Sequence, residues 1–348
     1  MTKDVKIRDR FLVLKGEQLY RIVLLIMLSP LLLFSSDYRL GEGIQIADTP
    51  LYAGGYFSLN YGDELNGSRE FIFDDIAFML YAQEGSWSFM SEIEMNDVYY
   101  NQFELNEDTN SSFEVHAERI YVRYEASDTW RTTLGKFNSP IGFWNLMPIN
   151  VLRDTTSNPI VTGTIFPRFT TGLDLDLTLS QHHKLILLLQ ATPDLDTLFH
   201  SDNPYNSFDI DRHIALGYSY PFKDLTFKVN GGYFRERDIM ESWYYGYLAL
   251  RYEHTNLKVM GEYGYRQNSE GGEVINSGYL QGVYGLNIRH QLIARVEHVD
   301  DEWLNDDRSF WLAGYTYRPF ASMALKAEYQ RDFSAEWQKL LLSFSVLF

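Results

Sequence analysis

Along most of this chain apolar and polar residues alternate one by one, the period of a β-strand with two different faces. Within residues 86–96, Trp87, Phe89, Ser91, Ile93 and Met95 share one face, and Ser86, Ser88, Met90, Glu92, Glu94 and Asn96 share the other. Ala53, Gly55, Phe57, Leu59 and Tyr61 form an earlier apolar row, and Ile76, Phe78, Leu80 and Ala82 the next. Ile120, Val122 and Tyr124 oppose Arg119, Tyr121 and Arg123, and Trp130, Thr132 and Leu134 oppose Arg131 and Thr133. Leu173, Leu175, Leu177 and Leu179 alternate with Asp174, Asp176 and Thr178. Later rows start at Leu185, Leu225 and Leu257, and the last runs through Leu340, Leu342, Phe344, Val346 and Phe348. Segments of about ten residues with one apolar and one polar face are the pattern of strands that cross a membrane, one face to lipid and one to a polar lumen.

The connections alternate in length. Short turns fall near 83–85, 126–128, 181–183, 221–223, 254–256, 288–290 and 319–321, and between them lie longer acidic segments at 96–112, 193–211, 268–275 and 299–308. This spacing predicts an all-β fold, a transmembrane antiparallel up-and-down β-barrel of about 16 strands, with short turns in the periplasm and long loops outside. The longest stretch without usable alternation is 135–167; with the first strand running outward it becomes the third external loop, and a loop of that length is commonly functional.

The N-terminus adds an address. Lys3, Lys6, Arg8, Arg10, Lys15 and Arg21 precede an apolar run over 22–34, followed by Ser35, Ser36 and Asp37. A basic flank, a run short for a membrane span and small residues after it predict a signal peptide over 1–36. A short periplasmic segment, 37–51, and the barrel, 52–348, then follow. Removing 1–36 takes six basic and three acidic residues with it and moves the net charge from −17 to −20. So acidic a surface argues against a nucleic-acid partner, and the acidic loops are expected to bias entry toward cations or neutral solutes. With no Cys in 348 residues, no disulfide framework or thiolate metal site is expected.

No G-x-S-x-G, H-E-x-x-H, P-loop or EF-hand spacing occurs, so no catalytic residues, metal or cofactor are expected. Adjacent His182 and His183 read as a polar turn. His298 falls on an outward row and reads as an interface residue near the membrane boundary.

The final alternation, closing on Phe348, resembles the assembly signal of bacterial outer-membrane barrels, carried here by Leu342, Phe344, Val346 and Phe348. The long third loop resembles that of the 16-stranded porins, and Gly135, Lys136, Phe137, Asn138, Ser139, Pro140, Ile141 and Gly142 are similar to the start of that loop in the phosphate-selective porin family. The resemblance implies a loop folded into the lumen, residence in the bacterial outer membrane, a homotrimer, and contact with lipid, lipopolysaccharide and the barrel assembly machinery. It also implies passive diffusion of ions and small hydrophilic solutes. A pore selects at its narrowest section through its charged lining. The candidates there are Lys136, Arg153, Asp154 and Arg168 on or beside the loop, Arg119, Arg123 and Arg131 on neighbouring strands, and Glu92, Glu94, Asp174 and Asp176 facing inward. These charges either tune selectivity or pin the loop to the wall. Phe143 and Trp144 are expected to pack. A barrel hydrolase and a structural or adhesive barrel with a blocked lumen stand as alternatives to the porin.

Overall fold

A computed structural model describes residues 38–348 apart from 65–66, 104–113, 199–205, 273, 303–305 and 334–336. The expected signal segment and part of the acidic segment 96–112 lie outside the described residues. Two short strands come first, β1 (Tyr38–Arg39) and β2 (Gly43–Gln45), paired with each other and, through β2, with the start of the barrel. The long strands follow as β3 (Leu51–Glu64), β4 (Arg69–Glu84), β5 (Trp87–Gln102), β6 (Glu114–Ser127), β7 (Trp130–Asn138) and β8 (Phe169–Ser180). After them come β9 (His183–Gln190), β10 (Ile210–Phe222), β11 (Leu225–Glu236), β12 (Ser242–His254) and β13 (Leu257–Asn268). The last five are β14 (Val274–Gly285), β15 (His290–Asp301), β16 (Asp306–Phe320), β17 (Met323–Asp332) and β18 (Gln338–Leu347).

Each long strand pairs antiparallel with the next, and β18 pairs back onto β3 from Lys339↔Glu64 to Leu347↔Tyr56, closing a 16-stranded barrel. Closure satisfies the backbone of the edge strands, which an open sheet in lipid would leave unpaired. Phe348 completes the seam: its N–H donates to the Gly55 carbonyl at 2.7 Å and its carbonyl accepts from Gly55 at 2.8 Å. Val346 is fully buried against Phe57 and Phe73 on the outward side, where Phe57 and Phe344 meet edge to face at 5.9 Å.

Burial runs opposite to that of a water-soluble protein. Exposed rows are apolar, with Leu216, Leu248, Leu250 and Leu280 among them, and buried rows hold Glu262, Gln281, Arg295 and Glu328. Apolar outside and polar inside is the arrangement of a barrel set in lipid. Exposed Trp87, Tyr124, Trp130, Tyr252, Tyr284 and Tyr315 lie near the short-turn end, an aromatic girdle of the kind that marks a membrane interface. Tight turns there need positive φ, found at Gly85 (58°), Lys223 (54°) and Thr255 (54°).

The segment joining β7 to β8 is residues 139–168, at the end opposite these turns. It contains two short 3-10 turns, Trp144–Leu146 and Asn150–Leu152, and one helical turn, Val161–Thr164.

Candidate functional site

The loop begins with a closed neck. Ser139 donates its N–H to the Arg168 carbonyl at 2.8 Å and its hydroxyl to the Pro167 carbonyl at 2.6 Å, while the Asn145 amide donates to the carbonyls of Ser139 and Arg168 at 2.8 and 2.9 Å. Gly142 then turns the chain at φ +67°, and a Cβ there would sit 2.7 Å from the Glu262 carboxylate and 2.9 Å from the Tyr247 ring. Only glycine allows both that angle and that approach. The approach delivers the N–H groups of Phe143 and Trp144 to one Glu262 oxygen, at 2.7 and 3.0 Å.

Apolar packing follows the same path. Phe143, Trp144, Val161, Ile165 and Phe166 join Tyr245, Tyr247, Met260 and Tyr279 in one buried cluster. Gly264 of β13 makes room for Ile165, whose side chain a Cβ would meet at 2.6 Å. Farther along, Ile149 and Val151 pack with Met79, Met90, Ala324 and Leu347. Phe143 and Trp144 pack, as the sequence leads one to expect, and each also lies under cations: Lys228 and Arg251 over Phe143, Arg295 over Trp144.

Charged side chains of the inward rows tie down the loop's backbone. Carboxylates take its N–H groups: Glu297 from Ile160 at 2.9 Å, and Glu328 from Thr156 and from the Ser157 hydroxyl at 2.7 Å. Cations take its carbonyls: Lys228 donates to Gly142 at 2.6 Å, Arg318 to Arg153 at 2.6 Å and to Val151, and Lys326 to Asn150 and Thr155. Arg295 reaches the hydroxyls of Thr155 and Ser157 at 3.0 and 2.7 Å. An unpaired peptide group buried here would cost ~1–3 kcal/mol, so each such bond holds the loop in one place.

Of the residues singled out in the sequence, Asp154 belongs to this pinning set: Lys258 donates to it at 2.7 Å and Gln281 at 3.0 Å. Arg153 folds back on its own loop, donating to the carbonyls of Met147 (2.8 Å) and Pro148. The Arg168 guanidinium lies 5.5 Å over the Phe169 ring. Arg119 is paired with Glu92, Arg131 with Asp176, and Arg123 donates to Thr133 at 3.2 Å beside Asp174. Glu92 and Glu94 accept from the Tyr56 hydroxyl at 2.7 and 2.5 Å. A bulge in β6 brings Glu118 to them, so that three buried carboxylates present oxygens within 4.8 Å of one another. Such hard oxygen donors are of the type that bind Mg²⁺ or Ca²⁺, and Tyr56 and Arg119 already engage them.

Lys136 is placed differently. It shares the outward row of β7 with Leu134, which is 62% exposed, and so does not line the lumen. Its ammonium is fully buried between Asp194 (2.8 Å) and Asp196 (2.6 Å) of the segment after β9, which folds over it. Asp196 also accepts the Ala117 N–H at 2.7 Å. Burial works to raise the Asp196 carboxyl, but His116, 3.7 Å away, and the Lys136 ammonium outweigh it and hold the group below the ordinary carboxylate range.

The wall residues that hold the loop, Lys228, Lys258, Glu262, Arg295, Glu297, Arg318, Lys326 and Glu328, are missed by a reading confined to the loop and its flanking strands. Their signal is parity: Arg295 and Glu297 flank outward Val296, and Lys326 and Glu328 flank Ala327. His182 and His183 are engaged by the next strand, through the Pro221 carbonyl (2.9 Å) and the Tyr218 hydroxyl (2.7 Å). His298 is exposed on the outward row, its Nδ1 2.9 Å from Ser309 Oγ.

Beside the loop an open space of about 350 Å³ remains along β6–β11. It shares Arg131, Asp176 and Lys184 with a second space of about 410 Å³ at the short-turn end.

No family model matches the sequence, and no curated protein matches it. Among solved structures the fold is similar to Salmonella typhi OmpF in complex with daunomycin, at TM-score 0.61 and 11% identity over 86% of this chain and 97% of that one. A loop L8 deletion mutant of OmpT, an outer membrane protein of Vibrio cholerae, gives 0.60 and 11% over 86% and 99%. The anion-selective porin from Comamonas acidovorans gives 0.58 and 10% over 86% and 99%. At these identities the likeness is one of fold: the chain has the closed 16-strand barrel seen in outer-membrane porins.

Proposed function

We propose that the protein is an outer-membrane porin, a water-filled channel for passive diffusion of ions and small hydrophilic solutes, narrowed by the loop 139–168. The observation that carries this reading is that the loop, rooted between β7 and β8, is hydrogen-bonded to inward rows of β15, β16 and β17 on the far side of the ring. A segment so held crosses the lumen and leaves the passage along β6–β11. Residues 1–36 export the chain, the Leu342–Phe344–Val346–Phe348 row is read by the assembly machinery, and a homotrimer forms in lipid and lipopolysaccharide. The relation to the phosphate-selective family is carried by residues 135–142. Planar-bilayer recording of the purified, folded protein tests the channel: discrete conductance steps support it, and their absence rejects it.

One observation favours a barrel hydrolase as a second reading, the Ser309–His298 pair at 2.9 Å on the outward face. Turnover of phospholipid by the wild type and not by Ser309→Ala would establish it.

A further inference from the structure

The passage along β6–β11 has a lining of charged and apolar groups together. Arg119, Arg123, Arg131, Lys184 and Lys228 line it against two carboxylates, Asp174 and Asp176. Three of the five cations are committed: Arg119 to Glu92, Arg131 to Asp176, and Lys228 to the Gly142 carbonyl. Arg123 and Lys184 make no ion pair among the described residues, and Lys184 is exposed. Counted from the turn end, the cations rise in steps, Arg131 and Lys184 at the mouth, Arg123 and Lys228 above them, and Arg119 highest. Apolar groups lie among these charges: Phe137 of β7 and Ile186 of β9, with Pro140 and Leu146 from the loop, 44% of the Leu146 surface being open.

We propose that this passage binds and conducts small organic anions that carry an apolar group, an inference that rests on the channel reading and names the solute class for it. In a narrow low-dielectric passage, fixed charges near the path outweigh the screened charge of distant loops, so the local basic excess sets the sign of selectivity although the whole chain carries −17. A carboxylate or sulfonate takes the ammonium of Lys184 at the mouth and then the guanidinium of Arg123 above it, each by charge-assisted hydrogen bonds. Its ring or branched alkyl group lies against Leu146 and Ile186. The space, about 350 Å³, is at the small end of the ~300–1,000 Å³ typical of ligand pockets. It therefore takes one small solute at a time, and its opening toward the turn end makes it a route.

The test is single-channel recording of the full protein under a KCl gradient, with benzoate and benzylamine as oppositely charged probes of one shape. The expected results are a reversal potential on the chloride side and current block by benzoate but not benzylamine. In Arg123→Gln/Lys184→Gln the reversal potential moves toward potassium and the half-blocking benzoate concentration rises about tenfold. A conducting wild type that prefers potassium, or equal block by both probes, overturns this inference and leaves the channel standing. Acetate blocking as well as benzoate overturns the role given to the apolar lining. A folded protein with no conductance overturns the channel reading, and this inference with it.

Discussion

Lys258 of β13 donates to Asp154 of the loop at 2.7 Å, across 104 residues of sequence, and Asp154 is buried on arrival. A contact of this kind fixes a long connection in place. Removing one partner of a fully buried pair costs roughly 3–5 kcal/mol, and here less, because the Lys258 side chain stays 23% exposed. Asp154→Ala is therefore expected to loosen the loop without unfolding the barrel, giving larger and noisier single-channel steps. Lys258→Met should loosen it at least as much, because the buried Asp154 carboxylate then loses the Lys258 ammonium and keeps only the neutral Gln281 amide of this pair of donors.

The turn at Gly142 separates backbone geometry from packing. Gly142→Ala places a methyl 2.7 Å from the Glu262 carboxylate at φ +67°, and such strain costs of order 1–3 kcal/mol. Gly163 has open space around its Cβ position. Thermal unfolding followed by circular dichroism should show a lowered midpoint for Gly142→Ala and almost none of that loss for Gly163→Ala.

Lys136 joins the segment 191–198 to the outside of the barrel through Asp194 and Asp196. Lys136→Met leaves Asp194 and Asp196 buried without their cation, and a destabilisation of roughly 3–5 kcal/mol is expected. Early proteolytic cleavage within 191–198, at a conductance close to wild type, is the readout.

The same clamp has a pH signature. The folded Asp196 carboxyl titrates lower than its unfolded value, near 3.9. Its stabilising contribution is thus complete above about pH 4 and is lost as pH falls through the lower folded value. Protease resistance of the 191–198 segment should hold from neutrality down to about pH 5 and fall below pH 4; a loss centred near neutrality would assign the sensitivity to another group.

The outward rows make a further demand. Leu216, midway along β10 and 60% exposed, faces hydrocarbon if the barrel spans a membrane. Leu216→Arg should cost ~2–4 kcal/mol in urea unfolding from lipid vesicles, whereas the same change on a water-bathed surface would be nearly neutral.

The barrel is legible in the sequence because period two writes each strand's two faces into consecutive letters. The Asp174 and Asp176 row against Leu173, Leu175 and Leu177 is found as read, and so is the closing row to Phe348. The loop's position is legible as the longest break in alternation. Its attachments are not, because Glu262 and Trp144, or Arg295 and Ser157, meet only after closure brings together positions more than a hundred residues apart. Lys136 was hidden for a more local reason. Taken with the loop motif it reads as a pore residue, while its parity with Trp130, Thr132 and Leu134 puts it outside, at a place that only a folded-over segment carrying two aspartates makes habitable for a charge. Glu118 escaped because a bulge shifts parity, and nothing in the local letters marks it.

Shortening the loop tests the central claim most directly. Residues 143–166 would be replaced by a brief Gly-Ser link that spares the neck at Ser139 and Pro167, and single-channel conductance measured beside the wild type. Discrete steps are expected from the wild type and several times larger steps from the shortened protein, with the β-sheet content of the two alike. Equal steps from both, or none from the folded wild type, would contradict the claim.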